Sequence, residues 1–110
     1  MSVAIMIDNP TNDTEKNFYV PVATEKAFQK YWMKASEEMG LKWVPIFKTG
    51  IFIEKQDEQA VLEEIAQVKK WVTRNVKDLD KQTALEERIN YIVEKLLEVF
   101  KNDNITLYIG

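Results

Sequence analysis

Histidine and cysteine are both missing from this chain of 110 residues. Without cysteine there is no disulfide, no thiolate metal site and no sulfur nucleophile. Without histidine the commonest general base and the commonest metal ligand are gone. So is the one side chain that ordinarily changes charge near neutral pH. Any chemistry would fall to Asp, Glu, Lys, Tyr or a bound water. Glycine and proline occur three times each, so no long flexible linker interrupts the chain. Arginine is confined to Arg74 and Arg88, and serine to Ser2 and Ser36, neither in a G-x-S-x-G frame. No apolar run approaches the roughly 18 residues that a membrane-crossing helix needs. The opening M-S-V-A-I-M-I-D-N-P has no basic n-region and reads as a strand, not a signal peptide. With no export signal and no cysteine, the expected location is the cytoplasm. Phosphate loops, dinucleotide glycine fingerprints and zinc signatures are absent as well.

What is present is the balance of a folded domain. Hydrophobic residues make up 45% and charged residues 30% of the chain. One domain, residues 1–110, is expected, with a single core and little room for a deep enclosed pocket. Eighteen acids against fifteen bases give a net charge of −3. That balance disfavours a nucleic-acid backbone as partner and suits a basic one.

The chain is organised around Leu41 to Glu54, L-K-W-V-P-I-F-K-T-G-I-F-I-E. Its aromatic and β-branched arms predict a hairpin turning at Lys48-Thr49-Gly50, with Gly50 supplying a positive φ. Val3 to Ile7 and Phe18 to Val22 predict two earlier strands, joined by an exposed loop over residues 8–17. Pro21 places the second at an edge or ends it there. Thr24 is the expected N-cap of a helix whose apolar face is Phe28, Tyr31, Trp32, Ala35 and Met39. Gly40 is its expected left-handed stop. Asp57 is the expected cap of a second helix with the stripe Val61, Leu62, Ile65, Val68, Val72. A third, starting at Asp80 or Thr83, carries Leu85, Ile89, Ile92, Val93, Leu96, Leu97 and Phe100. Ile105 to Ile109 is a last strand. The order β-β-α-β-β-α-α-β predicts an α+β fold, its sheet mainly antiparallel or mixed and its helices mostly on one face.

The candidate sites are weak in catalytic terms. Glu37-Glu38, Glu63-Glu64 and Glu86-Glu87 are sequence neighbours, splayed by about 100° on a helix, and read as solvated faces. Asp8 and Asp13 sit among oxygen-bearing residues but lack a calcium-loop pattern. Lys69, Lys70, Arg74 and Lys77 read as a helix C-terminal cluster. No metal or cofactor is implied. The strand aromatics are more informative. Phe18, Tyr19, Trp43, Phe47, Phe52 and Tyr108 give the strands apolar side chains on both faces, more than helices on a single face can cover. The uncovered face is the expected binding surface, with Tyr19, Trp43, Phe47 and Phe52 as anchors for a protein partner or a second copy of the chain. A non-catalytic interaction module is the favoured function: a small acidic inhibitor, an immunity-type protein or an assembly adaptor. The alternatives are a small-ligand or nucleic-acid binder that stacks on the strand aromatics, and a small enzyme working without histidine.

Overall fold

The computed structural model describes residues 2–110, and among these residues four strands form one open sheet. They are β1 (Ser2–Ile7), β2 (Tyr19–Thr24), β3 (Ile51–Glu54) and β4 (Thr106–Ile109), in the spatial order β2-β1-β4-β3. Every pairing is antiparallel. The last strand is inserted between the first and third, pairing Ile109 with Ile5 on one side and with Ile51 on the other. Alternation along the strands turns Val3, Ile5, Val20, Val22, Ile53, Leu107 and Ile109 to one side, where all are buried. A bulge between Val3 and Ala4 leaves Val22 without a direct partner on β1 but in the core. Pro21, which has no N–H to donate, lies on the outermost strand, as its chemistry requires.

The helices cover that aliphatic face. The loop after β1 holds a single turn, α1 (Asp13–Lys16), capped by Asn12. Thr24 caps α2 (Glu25–Ala27), its hydroxyl accepting from the Ala27 N–H at 3.1 Å. The chain then widens into a π-helical segment, Phe28–Met33, before α3 (Lys34–Met39). Phe28 and Trp32 stack with ring centroids 6.0 Å apart inside the core. The Ser36 hydroxyl, buried there, donates to the Trp32 carbonyl at 2.7 Å. Gly40 ends the run at φ 66°, the left-handed conformation expected of it. α4 (Glu58–Asn75) and α5 (Leu79–Val99) pack on each other and on the sheet. They bury Val61, Ile65, Val68 and Val72 from one helix and Ile89, Ile92 and Leu96 from the other, with Phe100 at the cap of α5. Each such side chain contributes about 1.5–3 kcal/mol of burial. Among the described residues no helix is long and apolar enough to cross a membrane.

The α+β class holds, and so does the placing of the helices against one face of the sheet. The first arm of the expected hairpin does not form. Val44–Lys48 is a 3-10 helix, and β3 is the only strand in the 41–54 stretch. Two physical causes account for this. Pro45 lies in the first turn of that helix, where a missing N–H costs nothing. Opposite it, the Glu64 carboxylate of α4 accepts the N–H groups of Lys42, Trp43 and Val44 at 3.0, 2.8 and 3.1 Å. Those donors are then unavailable to a strand ladder. The three-residue period turns Val44 and Phe47 inward and leaves Ile46 exposed. Helix starts differ too. Glu54 caps the 3-10 turn Lys55–Asp57, and Asp57 closes a reciprocal capping box rather than capping α4 with its own side chain. α5 begins earlier than expected, because the Asp78 carboxylate accepts from the Asp80 and Lys81 N–H groups.

Candidate functional site

The sheet face turned away from the helices is built in three cross-strand rows. The central row follows from the register: Tyr19 pairs with Met6, Met6 with Tyr108, and Tyr108 with Phe52. One large apolar or aromatic side chain from each strand therefore lies in a line, spanning about 14 Å from edge to edge at ordinary strand spacing. Phe52 and Tyr108 touch, with centroids 5.2 Å apart and rings tilted by 54°. The two ends of the row are the most accessible, Tyr19 at 53% and Phe52 at 58% exposure.

On one side of this row the residues are small: Pro21, Ala4 and Gly110 lie side by side, and Gly50 continues the line toward β3. Gly50 holds φ 109°, which a side chain rarely adopts. The Tyr108 phenol lies across the two glycines. A Cβ at Gly110 would come within 2.6 Å of its hydroxyl oxygen, and one at Gly50 would collide with the same atom. The tyrosine is thereby laid along the sheet, giving it a flat, half-buried aromatic floor. On the other side of the central row Asp8 donates its N–H to the Thr106 carbonyl at 2.8 Å, and Glu54 pairs with Thr106. The strand period puts Asp8, Thr106 and Glu54 on the face that carries Met6, Tyr108 and Phe52. These rows hold two carboxylates and no Lys or Arg.

Of the four expected anchors, the structure places Tyr19 and Phe52 on this face and two elsewhere. Phe47 is 1% exposed, in the core beneath the 3-10 helix. Trp43 precedes that helix, half-buried against the core, with its N–H held by Glu64. Both belong to the expected arm that does not form. In their place the row gains Met6 and Tyr108. The continuous apolar run A-I-M-I gave no sign of which face Met6 takes; the two-residue strand period turns it outward once Ile5 is buried. The alignment of Met6 and Tyr108 with Tyr19 and Phe52 depends on a register that only the folded sheet fixes.

The comparisons with family models, curated proteins and solved structures all return no match. The neighbouring glutamate pairs are explained by structure. Besides Glu64, Glu38 accepts from the Trp71 indole N–H at 3.1 Å and Glu86 from the Thr73 hydroxyl at 2.6 Å. One member of each neighbouring pair thus holds a tertiary contact, while Glu37, Glu63 and Glu87 face solvent. No group of three His, Cys, Asp or Glu able to hold a metal ion occurs among the described residues.

Proposed function

We propose that the chain is a non-catalytic protein-interaction module whose docking surface is the helix-free sheet face. The observation that carries this reading is the row Tyr19–Met6–Tyr108–Phe52, aligned across the whole sheet with its two ends more than half exposed. Accessible apolar rows of this kind serve as the dry centre of protein interfaces, where aromatic anchors supply most of the affinity. The flanking row favours one kind of partner. Asp8 and Glu54 border the aromatics on one side, Lys48 lies beside Tyr108 at the small-residue border, and the chain as a whole is acidic. A protein with an apolar centre and a Lys/Arg-bearing rim complements both features. Base stacking on the same aromatics lacks the lysines that would have to accompany it in these rows.

The test is photocrosslinking in cells that express the chain, with a photoreactive amino acid at position 52. The same group at Leu97, an exposed residue of α5 on the opposite side, serves as control. The reading expects one dominant adduct with a basic protein from position 52 only, weakening as salt is raised. An adduct with a second copy of the chain would replace the basic partner with self-association. Equal, diffuse labelling from positions 52 and 97 would refute a dedicated docking face.

A further inference from the structure

On the helical side of the molecule a groove of about 530 Å³ runs between the segment 30–38 and the α4–α5 turn. Four lysines line it: Lys30 and Lys34 on one wall, Lys77 and Lys81 on the other. Tyr31 and Trp71 line it with them. Two carboxylates share the lining, and each accepts hydrogen bonds. Glu38 holds the Trp71 indole N–H, and Asp78 holds the first N–H groups of α5. None of the four lysines has a carboxylate within ion-pair distance among the described residues. Lys30 lies 5.4 Å from the centre of the Tyr31 ring, and Lys77 donates to the Arg74 carbonyl. In a chain with more acids than bases, four lysines against two carboxylates in one lining is a local reversal of sign. It focuses a positive potential that a bound anion would relieve.

The backbone supplies a second feature. Lys30 and Tyr31 come from the π-helical segment Phe28–Met33. A π turn gives up the regular hydrogen-bond pattern of the α-helix, is rare, and recurs where a helix wall serves a site. The groove's chemistry combines an aromatic, partly apolar lining with point-like ammonium charges, which suit a chain of phosphates beside a planar ring. We infer that this groove binds a nucleoside polyphosphate, with the ring against the partly exposed Tyr31 and the phosphates among Lys30, Lys34, Lys77 and Lys81. The site is independent of the sheet face and stands or falls separately.

The test is a titration followed by ¹H–¹⁵N NMR, reading the Trp71 indole N–H, with ATP, inorganic triphosphate and adenosine as separate probes. ATP is expected to shift that resonance saturably with a dissociation constant below about 1 mM. Triphosphate and adenosine should each bind at least about tenfold more weakly. Lys34→Ala and Lys81→Ala, both at exposed positions, should each weaken ATP by about tenfold, with Lys34→Arg retaining most of the binding. No saturation in the millimolar range would overturn the inference. Equal binding of ATP and triphosphate would also overturn it, as would equal weakening by Lys42→Ala, which lies outside the groove.

Discussion

The two faces of the sheet are made by the same four strands, yet they differ in chemistry. The covered face is aliphatic and β-branched: Val3, Ile5, Val20, Val22, Ile53, Leu107 and Ile109 are all buried under helices. The open face is aromatic and thioether at its centre, small on one side and acidic on the other. Branched aliphatics fill a close-packed interior with few rotamers, which is what fold stability demands. Tyr, Phe and Met offer large contact areas that remain adaptable, which is what a docking surface demands. The contrast implies a separation of duties. Substitutions on the covered side should cost stability, and substitutions on the open side should cost association and little else.

The largest expected effect comes from the core. Phe47→Ala removes a fully buried ring and should cost about 3–5 kcal/mol in chemical denaturation, enough to unfold a marginal domain. Next is Glu64→Ala, which strips three backbone N–H groups of their acceptor and should cost about 1–3 kcal/mol. Glu64→Gln keeps one acceptor oxygen and should fall between that variant and wild type. Trp43→Ala, at a half-buried ring packed on the core, should lower stability by about 1–3 kcal/mol with no separate binding defect. If it instead abolished partner binding in a fully folded chain, the face described above would be incomplete. The smallest stability effects are expected at Tyr19→Ala and Phe52→Ala, each within about 1 kcal/mol by thermal unfolding. Their effect on association should be large by comparison, about 30-fold or more for a central anchor.

Gly50→Ala tests the open face from its other border. It introduces a side chain at φ 109°, where the Tyr108 phenol already lies. The ring must lift off the sheet, so both stability and docking should suffer together. A variant at Gly50 that left both intact would mean that the flat placement of Tyr108 is incidental.

Much of the fold was legible in the sequence because local chemistry and tertiary structure agree there. The Thr24 cap, the Gly40 stop, the edge position of Pro21 and the long apolar stripes of α4 and α5 are each set within a turn or two of chain. The segment Trp43–Phe47 departs from its local pattern because its residues favour strands while a distant residue decides otherwise. Glu64, twenty positions from Val44, captures the N–H groups that a strand would use. A single acidic residue in a helical run carries no sign of such a contact. The aromatic row was half legible for a related reason. A surplus of strand aromatics could name Tyr19 and Phe52 alongside Trp43 and Phe47, but the face each takes and the alignment of four residues require strand order and register. The insertion of β4 between β1 and β3 is a long-range fact that no local pattern encodes.

The central claim is that the open face serves association while the covered face serves folding. Photocrosslinking from position 52, compared in wild-type and Tyr19→Ala backgrounds and set beside the melting temperature of each, tests it most directly. The account predicts that the dominant adduct disappears in the Tyr19→Ala background while the melting temperature stays within a few degrees. An adduct of undiminished yield, or one lost only in step with the melting temperature, would contradict it.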